Sequence, residues 1–205
     1  NTKVSFLNGK TLTKDQNGIV IRDKDGQIAE TKVDDESASN KFAYSKGKLT
    51  SITLASGQEF TTTDGASYTS KTGETIRDAA VDQSGQLTYV SSSGDVMKVN
   101  NKGETQVAVT RTALEKSADT IAYAMNGGIG YGIDKQTIKN ELDQLNQAGK
   151  EELKRIWSEK FKNGTSNFQF DSLDEEFADE TSGSDLTELK SSLNKKDGEA
   201  DVTGR

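Results

Sequence analysis

The stretch Phe42-Ala-Tyr-Ser-Lys-Gly-Lys-Leu-Thr-Ser-Ile-Thr-Leu-Ala-Ser-Gly-Gln-Glu-Phe60 decides the fold of the first half of the chain. It contains short runs of apolar and β-branched residues, separated by the turn signals Ser45-Lys-Gly47 and Ser56-Gly57. A polar–glycine pair between two such runs is typical of a β-hairpin. The stretch therefore predicts three consecutive antiparallel strands.

The same pattern of a polar residue, a glycine and a β-rich run recurs along residues 1–110. Its copies predict an antiparallel meander in which every unit buries its apolar face on its neighbour. The spacing of Leu49, Ile52 and Leu54 departs from strict alternation, which predicts a β-bulge in that strand. The further copies are Asp25-Gly26, Ser84-Gly85, Ser93-Gly94 and Lys102-Gly103.

Helical periodicity replaces this pattern after residue 110. Leu114, Ala118, Ile121 and Met125 share one helical face, and Thr112 with Glu115 predicts a capping box at its start. Four more amphipathic segments follow, and Gln147-Ala-Gly149 is expected to separate the second from the third. The five predicted helices are Thr112–Met125, Asp134–Asn146, a third through Leu153–Phe161 that ends at Asn163-Gly164, Leu173–Glu180, and one capped by Ser184 that ends at Leu193.

These patterns predict an α+β protein with three parts. An antiparallel β-hairpin repeat region fills residues 1–110, a compact five-helix bundle fills residues 111–194, and a flexible tail fills residues 195–205. Charge follows the same division, because residues 1–110 carry 13 basic and 14 acidic residues whereas residues 111–205 carry 13 and 19.

Composition excludes several classes of function. The chain of 205 residues contains no Cys and no His, which excludes disulfides, thiolate metal sites, serine–histidine triads and cysteine–histidine dyads. Any metal must therefore be bound by oxygen atoms. A net charge of −7 with scattered lysines argues against nucleic-acid binding, which requires a basic stripe. We expect no enzymatic activity.

The segment Phe42–Phe60 resembles a YD repeat of the Rhs type. That pattern has an aromatic residue with Tyr-Asp, then Gly-x-Leu-Thr, a hydrophobic strand, a glycine turn and an aromatic residue. Here Ser45 stands where the repeat has Asp, and a generic β-meander is the alternative interpretation. The resemblance implies a β-rich shell or stalk of a bacterial surface protein or toxin carrier.

Residues 112–194 resemble a single annexin repeat. Gly130-Tyr-Gly-Ile-Asp-Lys135 stands at the position of the annexin glycine loop, and Leu173–Gly183 is similar to the acidic helix and its end. In the family, calcium binds to carbonyl groups of that loop and to the acid that closes the fourth helix. The resemblance therefore implies a calcium site formed by Gly128, Gly130, Gly132 and Glu180, together with a phospholipid surface as partner.

Two departures from the annexin pattern bear on that site. Ile133 replaces the family's Thr, and the linker Thr165–Asp171 is longer than usual. The alternative is that the glycines only form a tight turn between antiparallel helices, since glycine readily adopts positive φ.

Residues 171–188 contain eight acidic residues and neither Lys nor Arg. A solvated acidic face is the simplest interpretation. The alternative is that a cation or a basic partner relieves the repulsion between neighbouring carboxylates. Exposed side chains of this kind would lack the desolvation that shifts a pKa toward catalytic use.

The sequence thus favours a non-catalytic bacterial structural or assembly protein, secreted or at the cell surface, with a helical binding module. We expect self-association through β-edges, because an unpaired edge strand is a template for another chain. Two alternatives stay open: a processed fragment of an Rhs-type toxin carrier, and a calcium-dependent membrane-binding module.

Overall fold

The computed structural model describes residues 1–126, 132–161 and 172–196, and it confirms the predicted α+β class. A twelve-stranded sheet comes first in the chain, and the described part of the second half forms helices. The chain divides into two compact units, Asn1–Ala108 and Val109–Arg205.

The sheet is an uninterrupted meander in which every strand lies beside its neighbours in sequence. The registers from β1 to β11 are antiparallel throughout. The strands are β1 Thr2–Ser5, β2 Thr11–Asp15, β3 Gly18–Arg22, β4 Ile28–Lys32, β5 Asn40–Ser45, β6 Lys48–Thr53, β7 Glu59–Thr61, β8 Ser67–Ser70, β9 Thr75–Val81, β10 Leu87–Val90, β11 Val96–Val99 and β12 Thr105–Val109.

One turn geometry connects most of these strands. In Asp82–Gln86, the Gly85 N–H donates to the Asp82 carbonyl and the Asp82 N–H donates to the Gln86 carbonyl, both at 3.0 Å. Gly85 has a φ of +90°, so this is a type I turn closed by a glycine bulge. Seven turns share this bond pattern, and the last three recur every nine residues, at Asp82, Ser91 and Asn100.

Side chains at the first turn position stabilise the same geometry. The Asp82 Oδ1 accepts from the backbone N–H groups of Ser84 and Gln86, each at 2.9 Å. The Asn100 Oδ1 accepts equivalently from Lys102 and Glu104. A polar side chain at the first position therefore stabilises five of the seven turns, which explains why Asp, Asn and Ser recur there; Phe6 and Leu54 occupy this position in the other two.

Apolar side chains of β4 to β11 form the main buried cluster of this unit. Phe42 pairs with Ile52, and Ile52 pairs with Phe60, so the three side chains form a continuous row across β5, β6 and β7. Ile52 and Phe60 are essentially inaccessible to solvent, and burying each such side chain contributes about 1.5–3 kcal/mol. The other residues of this cluster are Ile28, Leu49, Leu54, Tyr68, Ile76, Leu87, Tyr89 and Val99, and Ile19, Val90 and Val96 are buried as well.

The sheet curls, so that strands distant in sequence share this core. Arg22 Nη2 donates to the Gln83 carbonyl at 2.8 Å, and Asn101 Nδ2 donates to the Asn17 carbonyl at 2.9 Å. The buried Asn40 donates through Nδ2 to the Asn100 carbonyl at 2.9 Å. These bonds join the beginning of the sheet to its end.

The predicted bulge is confirmed in the β5–β6 hairpin. Ala43 pairs with Ser51 whereas Tyr44 pairs with Leu49, so Thr50 is the extra residue. The Thr50 hydroxyl donates to the Ala43 carbonyl at 3.2 Å.

The described residues of the second unit form five helices. They are α1 Arg111–Met125, α2 Lys135–Asp143, α3 Gln147–Lys160, α4 Leu173–Glu180 and α5 Gly183–Asn194. The Asp134 side chain caps α2 by accepting from the Thr137 N–H, and the Ser172 side chain caps α4 by accepting from the Glu175 N–H. Their largest fully buried side chains include Trp157, Phe177, Leu114, Ile121 and Ile138.

Several predicted helix boundaries are wrong. Helix α2 ends at Asp143 rather than at Asn146, and α3 ends at Lys160 rather than at Asn163-Gly164. The cap of α1 is Thr110, whose hydroxyl accepts from the Ala113 N–H, while Glu115 pairs with Arg111. Gln147-Ala-Gly149 does not break a helix but forms the first turn of α3, because the Asn146 side chain accepts from the Gly149 N–H at 2.8 Å. The last helix begins at Gly183, with Ser182 rather than Ser184 at its N-cap position and without a hydrogen bond from that side chain to the first turn.

Other predictions fall outside the described residues. They concern most of the glycine loop at 127–131, the linker at 165–171 and the tail from residue 197 onward.

Candidate functional site

The two terminal strands of the sheet are its most exposed part. All four residues of β1 are exposed, and in β12 only Val109 is partly buried. Each strand ends the strand order, so among the described residues each has one edge without a neighbouring strand. An unpaired edge presents a row of free N–H and carbonyl groups to another chain.

Strand β12 has the composition of a pairing strand. Its sequence is Thr105-Gln-Val-Ala-Val109, with three β-branched residues and no charge. Val107 is 46% exposed, although it lies in the middle of a strand. Lys, Pro and a bulge usually protect an edge against association, and the residues of β12 include neither Lys nor Pro.

Strand β1 belongs to a hairpin with an apolar tip. Val4 and Phe6 are exposed, and Leu7 is fully exposed at the turn. The strand itself contains Lys3, a charge of the kind that protects edges. The two ends of the sheet thus differ in how readily they pair with another strand.

A cleft of about 610 Å³ lies between strands β2 and β3 and the turns that follow β9 and β11. Side chains of β2 and β3 face the turns at Gln83 and Asn101 across it, and the bonds from Arg22 and Asn101 bridge its walls. Its lining mixes amides and both signs of charge, from Asp15 and Glu104 to Arg22 and Lys102. Val20, Val33 and Val99 line it as well, and this mixed lining indicates no particular class of ligand.

Three carboxylates gather near the end of α4. Single oxygen atoms of Glu176, Asp179 and Glu180 lie within 4.8 Å of one another; Glu176 is buried, Glu180 partly buried and Asp179 exposed. Burial, followed by the charges of Glu176 and Asp179, raises the pKa of Glu180. The C-terminal end of a helix also disfavours negative charge.

Such oxygen atoms suit a hard divalent cation, although calcium takes about six to eight of them. Only part of the predicted calcium site can be placed. Gly132 has a φ of +91° with open space around its Cα, which agrees with a turn position. Gly128 and Gly130 lie outside the described residues. The structure therefore puts Glu180 beside two further carboxylates and leaves its relation to the glycine carbonyls untested.

Sequence reasoning did not single out Glu176 and Asp179 as partners of Glu180. Their spacing of three and four residues places all three on one helical face, so the signal was available.

Lys135 pairs with two carboxylates of the acidic segment 171–188. Its Nζ lies 2.8 Å from the Asp185 carboxylate and 3.1 Å from that of Glu188, joining the start of α2 to α5. These pairs raise the pKa of Lys135. A lysine distant in sequence therefore relieves two of the eight carboxylates without any ligand.

A second ionic group lies between α1 and α3. Glu152 is buried and receives hydrogen bonds from Arg111, at 3.2 Å, and from Arg155. Arg111 also contacts Glu115 and Glu159. Such a network holds two helices together, and its paired charges give it a structural role.

Comparison with known proteins identifies no relative: no family model, curated protein or solved structure matches the chain. The Rhs-type and annexin-like resemblances therefore stay predictions. No helix within residues 1–126, 132–161 and 172–196 has the length and apolar character needed to cross a membrane.

Proposed function

We propose that this chain is a non-catalytic structural protein that assembles with other copies of itself through the terminal strands of its sheet. The observation that carries the proposal is the exposure of β1 and β12 at the two ends of an otherwise continuous ladder. Pairing would satisfy the free backbone groups of these edges with a second chain.

The helical unit serves as the binding module in this proposal. The carboxylates at the end of α4 form an acidic face suited to a cation or a basic partner. A secreted or cell-surface location remains a prediction of the sequence, as does the alternative of a toxin-carrier fragment. The coding sequence on either side of residues 1–205 distinguishes that alternative, because a carrier would continue into further YD repeats or an effector domain.

Sedimentation velocity tests the assembly. We expect the average mass to rise with protein concentration between about 10 µM and about 1 mM, the range in which small interfaces associate. Substituting lysine into both terminal strands, Val4→Lys with Val107→Lys, should keep the protein monomeric.

The matched control is Tyr123→Lys. Tyr123 is 61% exposed and lies on α1, outside the sheet. This variant should associate like the unmodified chain. A strictly monomeric unmodified protein across the whole range would contradict the proposal.

A further inference from the structure

We infer that β12 is the strand through which two copies pair, in antiparallel orientation, with Val107 facing its own copy across a two-fold axis. The inference rests on the proposed function, and it specifies the edge, the orientation and the register of the contact.

Charge distinguishes β12 from β1. A symmetric pair of β1 strands centred on Lys3 would bring two lysines directly opposite each other, which destabilises a strand pair. Centring on Val4 would instead place Thr2 opposite Phe6, which lies beyond the end of the strand. Strand β12 has no charged residue, so symmetric pairing opposes no like charges. Its three β-branched residues also favour cross-strand contacts.

The symmetry restricts the register. Because side chains alternate between the two faces of a strand, a two-fold axis normal to the sheet must pass between a residue and its own copy. Centring on Val107 pairs Thr105 with Val109 of the second copy and Gln106 with its Ala108. All five residues of β12 then take part in the ladder.

The two other possible positions of the axis, at Gln106 and at Ala108, are excluded because the residues next to β12 are not extended. An axis at Gln106 would place Gly103 opposite Val109, but Gly103 has a φ of +77° and closes the preceding turn. An axis at Ala108 would place Arg111, the first residue of α1, opposite Thr105 of the second copy, although Arg111 is helical. Val107 is therefore the only central residue that pairs the entire strand with itself.

A five-residue strand spans only about 17 Å, so the contact belongs to the small, reversible class below about 1,200 Å². Association should depend on concentration accordingly. This contact forms a closed dimer, whereas pairing of β12 with β1 would form an open chain of copies.

Disulfide trapping tests the register, because the chain contains no cysteine of its own. Directly opposite Cα atoms lie about 4.5–5.5 Å apart, within the span that a disulfide bridges. We expect Val107→Cys to form a covalent dimer on mild oxidation. Thr105→Cys alone should not, because its two copies would lie about 14 Å apart.

A mixture of Thr105→Cys and Val109→Cys should give the mixed dimer, since these positions are opposite each other in the proposed register. Tyr123→Cys, exposed and outside the sheet, measures cross-linking by random collision. Val107→Cys should cross-link at least about tenfold faster than this control, which corresponds to an encounter favoured by about 1.4 kcal/mol.

The other outcomes overturn the inference in distinguishable ways. A Thr105→Cys homodimer would show parallel pairing, and a mixed dimer of Val4→Cys with Val107→Cys would show head-to-tail assembly. Association without a Val107→Cys cross-link above the collision rate would reject the β12 contact but retain the proposed function. A protein that remains monomeric at all concentrations would reject both.

Discussion

The buried carboxylate of Glu152 offers a quantitative test of what holds the helical unit together. Its side chain is only 1% exposed, and Arg111 and Arg155 both donate to it. We predict that Arg111→Met with Arg155→Met destabilises this unit strongly. The reason is that the double variant retains a buried charge and removes both guanidinium partners.

The magnitude follows from the burial of the three side chains. Removing the partner of a buried charge costs about 3–5 kcal/mol. Each arginine side chain is about one third exposed, so water replaces part of the lost interaction. We therefore expect a loss of about 3 kcal/mol in the free energy of unfolding, at the lower end of that range.

Adding Glu152→Met should restore most of this loss, because replacing a whole buried ionic group by apolar side chains is close to neutral. Urea unfolding followed by the fluorescence of Trp157 measures both effects, since Trp157 is the only tryptophan and lies buried in α3.

Lys139→Met is the control. It breaks the more exposed Lys139–Asp143 pair of α2 and should cost only about 0.3–0.5 kcal/mol. A double arginine variant that loses less than about 1 kcal/mol would refute the reasoning, because the group would then behave like a surface pair. A triple variant no more stable than the double would refute it equally.

Three further predictions concern a turn and two carboxyl groups. Gly103→Ala should destabilise the sheet unit by more than Gly57→Ala. Both glycines have positive φ, which costs other residues about 1–2 kcal/mol. Of the two, only Gly103 would place the added Cβ 3.0 Å from backbone nitrogen atoms. Glu180→Gln should raise the unfolding midpoint of the helical unit at neutral pH, because burial and two neighbouring carboxylates disfavour the charged form of Glu180 in the folded state and raise its pKa. The gain in stability should vanish as the pH falls through that raised pKa, since the carboxyl group is then neutral in the unmodified protein as well. Hydrogen bonds from Ser67 and Ala66 lower the pKa of Asp64 to about 2, so its contribution to stability should be lost as pH falls from about 4 toward 2, and Asp64→Ala should flatten the pH dependence in that window.

Thermal or urea unfolding monitored by circular dichroism measures all three. Equal losses at Gly103 and Gly57 would contradict the close approach at Gly103. A Glu180→Gln variant less stable than the unmodified chain at neutral pH would contradict the repulsion among the three carboxylates. Addition of millimolar calcium tests the predicted metal site in the same assay: calcium should stabilise the unmodified chain and not Glu180→Gln.

Local signals in the sequence were sufficient for the class of fold and for much of the sheet. The pair Ser84-Gly85 marks its hairpin because an αL glycine and a polar side chain are both required by one turn geometry. The bulge at Thr50 was predictable because an extra residue interrupts the alternation of Leu49 and Ile52. The curl of the sheet was not, since it depends on Asn40 and Arg22 contacting backbone groups about sixty residues away.

Local signals in the sequence were also insufficient to place the helix boundaries. Thr110 and Thr112 are both plausible caps, and the choice depends on whether Glu115 reaches a backbone N–H or pairs with Arg111. Lys135 relieves Asp185 and Glu188 across a separation of about fifty residues. Periodicity within one helix contains no information about such a partner.

Hydrogen–deuterium exchange at two protein concentrations tests the central claim most directly, because it reports on the backbone N–H groups of the edge strand. The amides of Thr105–Val109 that point away from β11 should exchange rapidly at low concentration and become protected at high concentration. Amides of the inner strand β6 should be protected equally at both concentrations. Exchange in β12 that does not change with concentration would contradict assembly through this edge.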